Sequence, residues 1–191
     1  MRITGGRARG ITIKAPNKGE IRPATDYLRE AVFSSLGPDI VAEARLLDCF
    51  AGTGAYGLEA LSRGAAHTTF LEQDRAALKC LQANAEAVTK SLAKDAPEST
   101  RVITGDVFAR LKTSLNGEQF DLIFADPPYP LWKERGSEIL TLLAACLSPT
   151  GRLIAEAPGE YQPDPPSGLS LIRRLAKGPR QPSALIFGMP Y

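Results

Sequence analysis

Leu28, Val32 and Leu36 recur at four-residue spacing, one apolar stripe, so the stretch 26–36 reads as a helix with Thr25 as its N-cap. Gly37 and Pro38 end it. Upstream, glycines turn the chain between short apolar stretches in RITGGRARGITIK, the pattern of a β-hairpin, and NKGEIRPA reads as a loop. From residue 45 the pattern alternates. Apolar-rich strands are expected over 45–50, 67–71, 101–104, 120–125 and 151–156. Helices are expected over 54–63, 74–94, 107–115 and 134–147, with DAPES as a break before the third strand. Two further β segments, near 169–175 and 183–187, follow with no clear helix between them, and APGEYQPDPPSG reads as a surface loop. Repeated βα units imply an α/β fold with a doubly wound, mostly parallel seven-stranded sheet. The closing β-β pair adds one antiparallel strand.

Length and composition narrow this picture. At 191 residues, 43% of them hydrophobic, the chain can bury one sizeable core. The overall charge of +2 does not by itself argue for a polyanion partner. Its distribution is less even. Residues 1–30 hold Arg2, Arg7, Arg9, Lys14, Lys18, Arg22 and Arg29 against Glu20, Asp26 and Glu30, a local net of +4, which leaves −2 for the rest. The chain therefore divides into a basic hairpin or arm at 1–24 and a near-neutral body at 25–191, and such an arm suits nucleic acid. Cys49, Cys80 and Cys146 form no C-x-x-C pair, and the lone His67 cannot complete a metal site with them, so reduced thiols and no metal are expected. No apolar run approaches ~18 residues and the N-terminus lacks a signal-peptide core. A cytoplasmic monomer without membrane contact is the expectation.

Candidate chemistry begins at LLDCFAGTGAYGLEAL. The first strand leaves through Asp48 and enters a helix through Gly52, Gly54 and Gly57, a G-x-G-x-x-G pattern of the Rossmann-like kind. Alone the pattern is weak, because glycines also serve close helix–strand packing. An acid just before the loop repels the phosphates of a dinucleotide and suits a cationic, amine-bearing ligand. Glu72 lies 20 residues after Gly52, where a carboxylate takes ribose hydroxyls, with Gln73 beside it. Asp106, after the third strand, is placed to accept from an adenine amino group, and Phe50 and Val107 to flank the rings. Three acids at successive strand ends, with Ala51 and Thr53 completing the loop, outline S-adenosylmethionine as the cofactor.

The second motif, FDLIFADPPYP, ends the fourth strand beside the first. Pro127 and Pro128 lock φ at consecutive positions, a stiff turn that aims Asp126 at a fixed point. The exocyclic amine of a nucleobase is a poor nucleophile because its lone pair is delocalised into the ring. Asp126 and the Pro127 carbonyl can accept from both of its N–H bonds and free the lone pair, while Tyr129 stacks on the base.

Asp-Pro-Pro-Tyr is the signature of amino-group methyltransferases acting on nucleobases. DCFAGTGAYGLEALSRGA and RPATDYLREAVFSSL resemble the bacterial RsmD family, which methylates N2 of a guanine in 16S ribosomal RNA, and the resemblance extends to RITGGRARGITI. It implies S-adenosylmethionine bound at the glycine loop, catalysis by Asp126, Pro127, Pro128 and Tyr129, and RNA or small-subunit contact through the basic arm, with Arg2, Arg7, Arg9, Lys14, Arg22 and Arg29. Ala24 and Tyr27 depart from it, standing where the family usually has threonine and arginine. Three rivals remain at this point. An adenine-N6 methyltransferase can carry the same motif, though on DNA it normally needs an added recognition region. A nicotinamide oxidoreductase rests on the glycines alone. A catalytically inactive RNA-binding module is at odds with the intact motifs.

Overall fold

The structure, a computed structural model, describes residues 1–16, 23–93, 96–176, 178 and 181–190, without the side chains of 23–25, 96–97 and 176. Lys18, Arg22 and most of the expected 17–24 loop therefore lie outside the described residues, as does the side chain of Ala24. Five strands run parallel: β1 (Arg45–Cys49), β2 (His67–Glu72), β3 (Thr100–Thr104), β4 (Phe120–Ala125) and β5 (Leu147–Ala157). β6 (Ser170–Ala176) and β7 (Ser183–Gly188) follow, and β7 is antiparallel to both β5 and β6. The spatial order β3-β2-β1-β4-β5-β7-β6 makes β7 the one antiparallel strand expected from the closing β-β unit.

The helices are α1 (Pro23–Leu36), α2 (Pro38–Val41), α3 (Ala55–Ser62), α4 (Arg75–Leu92), α5 (Ala96–Ser99), α6 (Val107–Lys112) and α7 (Tyr129–Ala144). Period-two alternation along the strands sends Leu46, Phe70, Phe124 and Ile154 to one core, with α1, α3 and α4. It sends Leu47, Leu71, Ile123 and Leu153 to the other, with α6 and α7. Strand order reverses between β1 and β4, so a crevice opens beyond their carboxyl ends, the usual ligand position in such sheets.

Several boundaries differ from the pattern-based reading. α1 starts at Pro23, so Thr25 lies inside its first turn and is not its N-cap; proline is well suited to a helix start, where its missing N–H has no partner to lose. α2 continues past Gly37, and α5 occupies part of the expected break. α7 begins at Tyr129, five residues early, because Pro130 again fits a first turn. Its non-helical residue, Arg135, marks a kink near the expected start. Leu147, expected in a helix, opens β5 opposite Phe120.

The expected N-terminal β-hairpin is reduced to one antiparallel bridge, Arg2 to Thr12. Ile3 N donates to Ile11 O at 2.9 Å, and Ile13 N to Met1 O at 3.1 Å. The intervening donors go to α3 instead. Thr4 N and Gly5 N donate to the Glu59 carboxylate, Arg7 N to Ser62 O, and Ala8 N to Ser62 Oγ, each at 2.8–2.9 Å. Ile3, Ala8 and Ile13 are buried in the same core as α1, α3 and α4. This stretch of the basic segment is thus stitched to the body, with its cations facing out.

Candidate active site

Between β1 and α3 the chain turns through Phe50, Gly52 and Gly54, all at positive φ (58°, 55° and 80°). The three motif glycines serve different ends. A Cβ on Gly57 would collide with Phe70 and Thr68, so this glycine allows α3 to lie close on β2. Gly54 combines positive φ with crowding against Leu81. In front of Gly52 a Cβ would meet nothing nearer than Phe50 O at 4.0 Å, so the backbone there borders open space. Packing accounts for two glycines, and a positive φ beside open space for the third.

Asp48, buried near the end of β1, accepts from Gly57 N at 2.9 Å. A carboxyl therefore sits against the start of α3, the place where a dinucleotide would put its pyrophosphate. Burial pushes this carboxyl up to about 8; the Gly57 N–H pulls it back and the nearby Glu72 charge adds to the rise. A carboxyl with a folded pKa above its unfolded value binds its proton more tightly in the native state. Its contribution is fully present below the ordinary carboxylate range, near 3.8, and is lost as pH rises through about 8. Relative to Asp48→Asn, the wild-type protein is expected to lose stability between pH 5 and pH 8, read by urea unfolding at both. A constant difference would show that the buried carboxyl is ionised throughout.

Glu72, the last residue of β2, bridges two loops. Its Oε2 accepts from Gly52 N at 2.7 Å and its Oε1 from Gln73 N and Asp74 N at 2.8 Å. A carboxylate has about four acceptor sites, so Glu72 can take about one further donor without giving up a loop bond. Asp106 is exposed and serves as N-cap of α6, its Oδ1 accepting from Ala109 N at 2.9 Å. That bond has a local structural role besides any adenine contact.

β4 delivers the second motif. Asp126 N donates to Cys49 O at 3.4 Å, which ties the ends of β4 and β1 together. Pro128, at φ −51°, is the N-cap of α7, and its carbonyl accepts from Leu131 N at 2.9 Å. Trp132 anchors the start of α7 through its Nε1–H, which donates to Glu156 O at 2.7 Å. Half-buried Tyr129 and exposed Asp126 face a cleft of about 630 Å³. Phe50, Glu72, Gln73 and Val107 line the same cleft, together with Pro127 and Pro128. Residues from two motifs more than 50 positions apart in sequence thus meet in one space. Asp48, Ala51, Gly52, Thr53, Gly54 and Asp106 do not line it. Asp74 and Pro130, which sequence reasoning missed, do line it.

The family described as Conserved hypothetical protein 95 matches residues 1–183. The chain belongs to this family. Among its relatives, ribosomal RNA small subunit methyltransferase D of Escherichia coli strain K12 is 39% identical over 129 residues, 68% of this chain. That alignment spans 60% of the relative's own length. A Bacillus subtilis relative, YlbH, is 33% identical over 93% of this chain and 94% of its own. A solved Escherichia coli structure is 34% identical, with a TM-score of 0.80 over 99% of this chain and 97% of that one. The family is thus the one that the Asp-Pro-Pro-Tyr and glycine-loop motifs resembled.

The basic residues divide. Arg2, Arg7, Arg9 and Lys14 are exposed. Arg29 is not: it is 1% exposed, paired with Glu59 and Asp26 at 3.4 and 3.0 Å, and donates to Arg2 O. The expectation that it contacts RNA is corrected. Its guanidinium holds α1, α3 and the N-terminal segment together. Tyr27 is 54% exposed on α1. Glu59, Asn84, Tyr56 and Glu156 carry polar contacts that the sequence reading passed over. Buried Asn84 clamps the backbone of Lys14 in both directions and donates to Thr53 O at 3.0 Å, linking the basic segment to the glycine loop. A charged or amide residue within an apolar helix stripe was the available signal. Among the described residues no group of three or more His, Cys, Asp and Glu could hold a metal, and no helix is long and apolar enough to cross a membrane.

Proposed function

We propose that the protein methylates the exocyclic N2 amine of a guanine in 16S ribosomal RNA, with S-adenosylmethionine as cofactor. The observation that carries this reading is the single cleft that joins the Asp126–Tyr129 turn to Glu72, Phe50 and Val107. The cofactor's chemistry fits the residues present: an acceptor at the end of β2, an aromatic and an aliphatic wall, open space before Gly52, and an acid instead of a phosphate site at α3. When bound, it supplies an electrophilic methyl group. The named role of the Escherichia coli relative in small-subunit RNA methylation supports the substrate class.

Asp126 and the Pro127 carbonyl would take the two N–H bonds of the base amine, which localises the nitrogen lone pair. Tyr129 would stack on the base, its backbone fixed by the first turn of α7. The amine nitrogen takes the methyl group as that group's bond to the sulfonium sulfur would break, with the neutral thioether as leaving group, and one amine proton passes to water. The decisive experiment offers labelled cofactor with naked 16S RNA, with small subunits lacking the modification, and with DNA, then identifies the labelled nucleoside. N2-methylguanine from the ribosomal substrates is the expected product. Label in N6-methyladenine, or in DNA alone, would overturn the assignment.

The exposed cations of the N-terminal segment, a proposed RNA-contacting unit at 1–24, give a separate prediction. Charge reversal at Arg7 and Arg9 is expected to raise the RNA dissociation constant and flatten its salt dependence, since each lost phosphate contact lowers the slope by about 0.7–0.9. Cofactor affinity should hold. An unchanged salt slope would mean that these arginines only face solvent.

A further inference from the structure

One buried amide reaches both the basic segment and the glycine loop. Asn84, in the third turn of α4, is 1% exposed, and its side chain makes three hydrogen bonds to backbone. Its Oδ1 accepts from Lys14 N at 2.8 Å. Its Nδ2 donates to Lys14 O at 2.9 Å and to Thr53 O at 3.0 Å. Ile13, just before Lys14, is buried in the core, whereas the Lys14 side chain is exposed. Lys14 thus carries an outward ammonium on a backbone that one side chain grips at both its N–H and its carbonyl.

Thr53 stands between Gly52 and Gly54, both at positive φ. Glu72 holds Gly52 N at 2.7 Å from the end of β2. Asn84 holds the Thr53 carbonyl from the helix that follows β2. Leu81, three residues before Asn84 on the same face of α4, crowds the place where a Cβ on Gly54 would stand. Hydrogen bonds and loop backbone therefore connect Lys14 to Asn84, to Thr53 and Gly52, and on to Glu72, the carboxylate expected to take the ribose of the cofactor.

We propose that Asn84 is a positioning residue that couples RNA engagement at Lys14 to cofactor affinity at the glycine loop. This rests on the RNA and cofactor sites assigned above. A phosphate held by the Lys14 ammonium restricts that residue, and its two bonds to Asn84 restrict the amide in turn. The third bond then fixes the Thr53 carbonyl, and with it a loop that must keep two residues at positive φ. The entropy of ordering this unit is lost once, to whichever ligand arrives first, so the second ligand binds more tightly. Linkage makes the effect reciprocal: the cofactor strengthens RNA binding by the same factor.

The test measures that factor. Equilibrium dialysis follows labelled S-adenosylhomocysteine, the demethylated product of the cofactor, with and without saturating small subunits lacking the modification, at one ionic strength. Wild-type protein is expected to bind it roughly 5- to 50-fold more tightly when the subunit is present. Hydrogen exchange over 51–54, with no cofactor added, should slow when the subunit is added. Asn84→Leu keeps the bulk and removes all three bonds, and it is expected to bring the factor close to one. Asn84→Ser, small enough to let water reach the three backbone groups, should do the same and supplies the second variant should the leucine protein fold poorly. A residue with only a scaffold role would weaken each ligand separately and leave the factor where it was. That result overturns the proposal, as does a wild-type factor near one or loop exchange that the subunit does not slow. If wild-type protein fails to bind either ligand alone, the assigned sites are wrong and the coupling falls with them. Two bound ligands without coupling sink the coupling and leave the sites standing.

Discussion

Replacing Asp126 with asparagine is expected to lower the single-turnover methylation rate by roughly two to four powers of ten, about 3–5 kcal/mol. Only an interaction that is stronger in the transition state than in the ground state speeds the chemical step. The Asp126 carboxylate meets that condition if it accepts from an amine becoming tetrahedral, because the N–H bonds gain positive character as the lone pair is used. Asparagine keeps the size but can present an N–H donor to a donor. The backbone should not move, since Asp126 is tied to Cys49 O through its main-chain N–H and Pro127 and Pro128 fix the turn that follows. Cofactor affinity should change little, because Glu72 and Phe50 keep their places. Tyr129→Phe should be mild, as stacking survives, and Tyr129→Ala severe. The measurement is single-turnover transfer at saturating cofactor, with cofactor binding checked by calorimetry. A near wild-type rate for Asp126→Asn would make the turn a scaffold and the mechanism wrong.

How much of this was legible in the sequence depended on the range of the interactions. The βα alternation, the antiparallel closing strand and the meeting of the two motifs follow from local periodicity plus the short list of ways such units pack. Asp126, Tyr129, Glu72, Phe50 and Val107 could be placed because strand ends in such a sheet converge on one crevice. Boundaries failed where a distant side chain competed for the backbone. The N-terminal hairpin dissolved because Glu59 and Ser62, 54 or 55 residues away, took donors that a second strand would have used. Arg29 looked like one more surface cation, since nothing local distinguishes it. Its partner Glu59 lies 30 residues on, in a helix stripe that reads as apolar. Periodicity reports which face is buried, but not which buried charge finds which partner.

That buried carboxylate carries the other large expectation: Glu59→Ala should cost about 3–5 kcal/mol, the usual result of removing one side of a buried ion pair. Glu59 is 0% exposed and accepts from Thr4 N, Thr4 Oγ1 and Gly5 N at 2.8–2.9 Å, and from Arg63 Nε and Arg29 Nε at 2.8 and 3.4 Å. Alanine removes the Glu59 carboxylate from the guanidinium of Arg29, 1% exposed, which keeps its contacts to Asp26 and the Arg2 carbonyl, and it removes the anchor of the basic segment. In a domain of this size each kcal/mol lowers the melting temperature by about 2–4 °C, so a fall on the order of 10 °C is expected, read alongside urea unfolding. The functional consequence separates fold from charge. Where the variant is still folded, RNA affinity should drop although every exposed cation remains, because Arg2, Arg7 and Arg9 are no longer held in a common frame. Charge reversal at Arg7 and Arg9 should also lower affinity, but with stability intact. If Glu59→Ala unfolds at the wild-type midpoint, the buried network is not what holds the segment. If it is destabilised yet binds RNA normally, the segment needs only its charges, and its docking on α3 serves the core alone.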